Sequence, residues 1–146
     1  MSFLKWATLA FVLANPALAD VEQIKGSGSV VEVMDALQAA VDGAGATVFA
    51  RVDHGAGAAK IGEALNDAQL LIFGNPALGT PAMQQDPLAG LYLPLRVLVY
   101  ADDSGQTWLA YENPADMLEG LTVDQGSEFI GKMQAALDNL TSKAGG

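Results

Sequence analysis

The chain alternates between helical and strand-like hydrophobic patterns, and this alternation restricts the fold more than any other feature of the sequence. After a capping box that runs from Ser29 to Glu32, apolar residues recur at steps of three and four, which predicts a helix over 30–42. Thr47–Val52 follows as a segment rich in β-branched and aromatic residues, which is typical of a strand. Helix and strand thus alternate within a short stretch, and an α/β domain follows.

The rest of the chain continues this order. The predicted elements are a strand near 21–25, the helix over 30–42, strands over 47–52 and 69–73 with a short helix between them, a short helix over 81–85, a hairpin of strands over 95–101 and 107–112, and a C-terminal helix from Ser127. We therefore predict an α/β (α+β) fold. It is a single two-layer domain, in which helices cover a mixed sheet of about four or five strands.

Three expectations concern how these elements are placed. In the strand over 47–52, Val48, Ala50 and Val52 are expected on one face because side chains alternate along a strand. Thr80 is expected to cap a helix that begins at Pro81. If the strands over 47–52 and 69–73 form a parallel β-α-β crossover, both end at the same edge of the sheet.

The first nineteen residues have the zones of a secretory signal. Lys5 is their only charged residue, the apolar run from Trp6 to Ala14 is too short to span a bilayer, and Ala17-Leu18-Ala19 is a small-x-small cleavage site. We predict a signal peptide over 1–19, cleavage after Ala19, and a single domain over 20–146. The mature protein is then periplasmic or secreted, with no stable membrane anchor.

Composition excludes several classes of function. The formal net charge of −10 repels phosphate backbones, so nucleic-acid binding is not expected. Cysteine is absent, which removes disulfides, thiolate metal sites and cysteine nucleophiles. The region 97–131 lacks Lys and Arg but holds seven acidic residues. It is typical of a solvated acidic face, with a docking patch for a basic partner as the alternative.

One group of polar residues suggests a binding site. Asp53 and His54 follow a predicted strand, and His54 is the only histidine. With a parallel crossover they would lie near Asn75 and Thr80, where free N–H groups at a helix start could meet an anion. Arg51 would then supply positive charge, as would Arg96. The structural alternative is that Asp53 caps a helix and His54 satisfies backbone groups at the sheet edge.

Catalytic and metal signatures are missing from the sequence. A single histidine with scattered carboxylates does not form the usual zinc site, and no phosphate-binding loop or nucleophile elbow is present. We therefore expect no metal and no cofactor, and leave the catalytic residues unassigned.

Four segments together resemble a known family. They are Arg51–His54, Leu71–Thr80, Leu93–Arg96 and Tyr111–Pro114, in this order. The combination is similar to the domain-of-unknown-function 302 family and covers roughly residues 46–142. The resemblance implies a compact two-layer α/β domain, a homodimer and, in some members, export behind a signal. It implies no activity.

The functional expectation follows from these points. We expect a periplasmic ligand-binding or accessory module, non-enzymatic by default, that binds a small polar or anionic ligand. One alternative is an enzyme that uses His54 as a general base. The other is a structural dimeric subunit of an exported assembly.

Overall fold

The computed structural model describes residues 20–146, so the predicted signal peptide over 1–19 lies outside the described residues. In chain order the elements are β1 (Val21–Gly26), α1 (Val30–Gly43), β2 (Thr47–Asp53), α2 (His54–Lys60), β3 (Ala68–Gly74), α3 (Pro76–Gln85), a 3₁₀ turn (Pro87–Leu91), β4 (Leu95–Ala101), β5 (Thr107–Glu112), α4 (Pro114–Leu118) and α5 (Glu128–Gly145). The predicted capping box at the start of α1 is confirmed, with the Ser29 side chain accepting from the Glu32 N–H.

Across residues 20–146 the strands form one five-stranded sheet in the order β1-β5-β4-β3-β2. Helices α1 and α5 pack together on one face of it, which confirms the predicted two-layer α+β domain. Every strand pairing is antiparallel. The expectation of a sheet with mixed strand directions is therefore wrong. The parallel crossover expected between β2 and β3 is wrong for the same reason. Seven-residue α2 buries no residue, so the connection serves as a long loop between antiparallel strands rather than as a covering crossover helix.

The core lies between the sheet and the two long helices. Leu71 and Phe73 of β3, with Val97 and Val99 of β4, point towards the helices and are buried. From the helix side the core is filled by Val33, Met34, Leu37 and Val41 of α1 and by Met133 and Leu137 of α5. Alternate residues of the strands, such as Leu70 and Leu98, lie on the other, helix-free face.

A β-bulge at Phe49 changes which face the second half of β2 presents. Val48 lies opposite Phe73, whereas Ala50 lies opposite Ile72, so the register shifts between them. The expectation that Val48, Ala50 and Val52 share a face is therefore wrong. The extra residue turns Arg51 and not Ala50 towards the helices.

Two short helices also differ from their predicted bounds. The spacing of Ala58, Ile61 and Leu65 predicts a short helix that extends to Leu65, whereas α2 begins at His54 and ends at Lys60, and Ile61 and Leu65 are exposed. Helix α3 begins at Pro76 with Asn75 as its cap, and Thr80 lies inside it. The predicted start at Pro81 is wrong because the earlier pair Asn75-Pro76 already supplies a cap and a first-turn proline.

Candidate functional site

An apolar cleft lies at the end of the sheet where β3 ends and β4 begins. Its volume is about 200 Å³, which corresponds to roughly seven waters at about 30 Å³ each. Helix α3 forms one wall, the Leu93–Leu95 segment another, and Phe49 and Met133 complete it. The lining residues are Phe49, Gly74, Asn75, Pro76, Leu78, Gly79, Thr80, Met83, Leu93, Pro94, Leu95 and Met133.

Local chain geometry explains why the cleft forms there. The Asn75 side-chain oxygen accepts from the Ala77 N–H at 2.9 Å and begins α3 directly at the end of β3. The Leu93–Pro94 bond is cis. Pro94 lies against Gly74, where a Cβ would be 3.3 Å from Pro94 Cβ. Gly79 leaves free space, because a Cβ there would meet only Leu93, at 3.6 Å.

The structure brings together two of the six residues predicted for the site. Asn75 and Thr80 both line the cleft. Asp53 lies opposite Gln69 at the start of β3, whereas Gly74 ends that strand. Five residues of strand separate these positions, a distance of roughly 17 Å at about 3.4 Å per residue. The composite site of Asp53 and His54 with the 74–80 segment is therefore not formed, because β2 and β3 are antiparallel.

Asp53 and Arg51 belong to a hydrogen-bond network beside α1. Asp53 accepts from the Ala56 N–H at 2.8 Å, as the cap of α2, and from the Gln69 side chain at 3.3 Å. Arg51 donates to Gln69 at 2.8 Å and pairs with Asp35 of α1 at 2.6 Å. These contacts tie β2 to β3 and α1 and leave both side chains engaged in the fold.

The other two candidates are at separate places. His54 is exposed at the start of α2, and no side-chain hydrogen bond orients it within residues 20–146. Arg96 lies on the helix-free face of the sheet, where it pairs with Glu112 at 3.0 Å. Neither reaches the cleft, whose lining contains no charged residue.

The ionisable groups whose pKa is shifted lie outside the cleft, and burial and hydrogen bonds within the fold cause these shifts. Burial, followed by hydrogen bonds to Asp138 and Glu22, raises the pKa of Tyr111 above its usual range. Backbone N–H groups of Thr122 and Leu88 lower the pKa of Asp86, whose carboxylate fastens the 119–127 loop to the end of α3. Among residues 20–146, no three His, Asp or Glu side chains are grouped so as to hold a metal ion.

The sequence pattern missed the apolar walls of the cleft. Phe49, Met83 and Leu93 lie far apart in the chain, and each alone is typical of an ordinary core or surface residue. The sequence signal that could indicate the cleft is the Gly74-Asn75-Pro76 run followed by Gly79. It predicts a bend of the chain where small residues leave space.

The residues of the cleft and the strands beneath it fall in one continuous family match. A family model described as "Domain of unknown function DUF302" matches residues 22–143. The chain belongs to the DUF302 family. The crystal structure of an uncharacterized conserved DUF302 protein from Bacillus stearothermophilus is similar to it, with a TM-score of 0.77 and 16% identity, over 85% of this chain and 97% of that one. At this identity the likeness shows a shared fold alone.

Longer proteins also contain a region similar to this DUF302 chain. The fluoride-specific ion channel FluC 1 of Brucella suis is 37% identical over 124 residues, which are 84% of this chain and 49% of the relative. The fluoride-specific ion channel FluC 1 of Brucella abortus is 37% identical over 124 residues, which are 46% of its length. The chain thus spans about half the length of the curated relatives it matches. In residues 20–146 we find no helix with the length and apolar character that crossing a membrane requires.

Proposed function

We propose that this DUF302 protein is an exported, non-enzymatic module that binds a small apolar ligand in the cleft beside α3 and acts as a homodimer. The observation that carries the proposal is the uncharged, largely apolar lining of that cleft. Small-molecule sites in proteins are concave, mostly apolar and provided with a few polar groups that orient the ligand. Asn75 and Thr80 are the polar groups of this site.

The lining favours an apolar ligand over the polar or anionic one expected from the sequence. An anion in the cleft would lose its hydration without gaining a cationic partner, since Arg51 and Arg96 are paired elsewhere. The chain's own charge of −10 also repels anions. Burial of a methylene group is favourable by about 0.8 kcal/mol. It involves neither the loss of an ion's hydration nor repulsion by the negative charge of the chain.

A non-enzymatic role is supported by the surroundings of His54. A general base needs a group that orients it and a substrate within hydrogen-bond reach. The neighbouring Asp53 carboxylate is already used by Ala56 and Gln69, and the cleft lies at the other end of β3. The enzyme hypothesis with His54 as base therefore has no geometric support among residues 20–146.

A second candidate role is that of an accessory module to a membrane ion channel. The observation that favours it is the region of the Brucella fluoride-specific ion channels that is similar to this chain. A module with this role need not bind the ion. The uncharged cleft offers fluoride no cation, so we expect the module to act through its surfaces rather than by holding fluoride.

The first prediction tests the cleft with 1-alkanols from 1-butanol to 1-decanol, read by thermal shift and calorimetry. Affinity is expected to rise about fourfold per added methylene, which is 0.8 kcal/mol, until the cleft is full. Gly79→Leu should abolish binding because the new side chain fills the space beside Leu93. The apo protein should stay folded or become slightly more stable, since leucine favours a helix over glycine by about 1 kcal/mol.

Gly131→Leu is the matched control for this prediction. Gly131 lies in α5, and a Cβ added there would meet nothing within 4 Å, so the variant gains the same helix propensity without touching the cleft. It should bind the alkanols as the wild type does. Binding that survives Gly79→Leu would refute the cleft as the site. A thermal shift with sodium fluoride that exceeds that of sodium chloride at equal ionic strength would refute the apolar ligand class.

A further inference from the structure

An apolar surface extends outwards from the cleft. Its exposed side chains are Phe49, Met83, Leu88, Leu91 and Tyr92, which we call the Leu91 surface. Leu91 is 76% exposed, and Gly90 beside it would meet the Met83 sulfur at 3.4 Å if it carried a Cβ. Phe49 and Met83 also line the cleft, so the surface and the cleft are continuous.

The segment that supplies four of these five side chains is nearly free of charge in a strongly acidic chain. Between Asp67 and Arg96 the sequence holds a single charged residue, Asp86. Its side chain is buried and bonded to Leu88 and Thr122, so it does not face the solvent as a free charge. Glu128 and Lys132 of α5 pair with each other and border the opposite side of α3, beside Pro81 and Gln85.

The exposed apolar area lies within the size range of functional surface patches. The five side chains leave roughly 500 Å² uncovered, taking about 200 Å² for one large side chain in full exposure. Patches of about 300–600 Å² on a monomer are often functional, and a standard interface uses about 800 Å² from each partner. The five side chains thus supply roughly 500 Å² of the about 800 Å² that each partner contributes to a standard interface, and the remainder would come from the residues around them.

We propose that a second copy of this chain docks on the Leu91 surface, so that two clefts lie beside a two-fold interface. This inference rests on the proposed homodimer and names its surface. Two copies that each carry a charge of about −10 repel one another, and the repulsion is smallest where neither presents a charge. An apolar patch is also complementary to itself, as a two-fold interface requires.

The second prediction tests this surface with Leu91→Asp, measured by light scattering over a range of micromolar concentrations. Each substitution occurs twice in a two-fold interface and brings two carboxylates together. The dissociation constant of the dimer should rise at least about tenfold. Ile61→Asp is the matched control, because Ile61 is 77% exposed and lies after α2, away from the cleft. It should leave the dimer intact.

The possible outcomes separate this inference from the proposed function. A wild-type protein that is monomeric at every concentration overturns the homodimer and this inference together. A wild-type dimer that persists equally in Leu91→Asp and Ile61→Asp overturns only the Leu91 surface. Leu88→Asp, at a second exposed position of the surface, should repeat the Leu91→Asp result, and circular dichroism should show all variants folded.

Discussion

At the scale of single residues, charged and polar side chains of this domain mostly close turns and caps. Asp102 is the clearest case. Its carboxylate accepts from the Ser104 hydroxyl at 2.6 Å and from the Trp108 indole at 2.8 Å, as well as from two backbone N–H groups. These donors, the Ser104 hydroxyl first and the Trp108 indole next, lower the pKa of Asp102 to about 2. The hairpin between β4 and β5 is thus closed by an ionised carboxylate.

The third prediction concerns the pH dependence of this contact. Because the folded pKa of Asp102 is about 2 and the unfolded value is 3.8, its ionisation stabilises the fold above about pH 4. That contribution is lost as the pH falls from about 4 towards 2. Asp102→Asn should lower the free energy of unfolding at pH 7, and the difference from wild type should shrink over this window.

Urea unfolding at pH 7, 4 and 2.5 measures this effect, with Trp108 fluorescence as the local reporter. Asp103→Asn is the control, since its exposed carboxylate accepts one hydrogen bond, from Asn66 at 3.0 Å. It should change the midpoint less than Asp102→Asn does at pH 7. Equal losses at pH 7 and pH 2.5 in Asp102→Asn would show that the carboxylate's charge plays no part.

At the scale of elements, the sequence predicts those whose signals are local. Helix α1 carries its capping box and its apolar stripe in adjacent residues, and strands β4 and β5 are joined by the turn chemistry of Asp102–Gly105. Each of these elements is near its predicted bounds. Local patterns suffice there because the interactions that fix the element occur within a few residues.

The direction of β2 relative to β3 could not be predicted in this way. An apolar strand pattern is the same whether the neighbour runs parallel or antiparallel, and the connection over 54–67 is long enough for either. The bulge at Phe49 likewise depends on the partner strand. The predicted site failed for this reason, whereas Asn75 and Thr80, which are close in sequence, do share the cleft.

The fourth prediction concerns the burial of β4, the central strand of the sheet. Val97 is 0% exposed and lies opposite Leu71 on the helix-covered face. Val97→Asp places an unpaired carboxylate in the core and should cost about 3–5 kcal/mol, much of the stability of a small domain. Val52→Asp makes the same change at a position 37% exposed on β2 and should cost less than about 1 kcal/mol. Denaturant midpoints that fall equally in the two variants would contradict the burial of Val97.

At the scale of the whole molecule, charge and apolar surface are segregated. Acidic residues populate β1, the hairpin turn, the 112–128 region and the helix surfaces, while the segment 68–95 carries the cleft and the Leu91 surface with one buried acid. Such a segregation leaves an apolar surface on which another copy can pack, while like charges elsewhere disfavour non-specific association. The proposed ligand site and the proposed dimer interface both use this segment.

The last prediction concerns the N-terminus that the proposed export would produce. Asp20 is held by the end of the sheet, since its carbonyl accepts from the Asn113 N–H at 3.1 Å and its backbone nitrogen lies 3.4 Å from the Asp116 carboxylate. Cleavage after Ala19 would turn that nitrogen into an ammonium group beside a carboxylate, a stronger contact than a peptide N–H makes. Because the Ala17-Leu18-Ala19 pattern predicts cleavage after Ala19, intact-mass measurement of protein from the periplasm should give a chain that begins at Asp20. Ala19→Leu, which removes the small residue that signal peptidase requires, should leave residues 1–19 attached. A wild-type product from the cytoplasm that retains residues 1–19 would contradict export, and an exported product that begins elsewhere would contradict the Ala19 site alone.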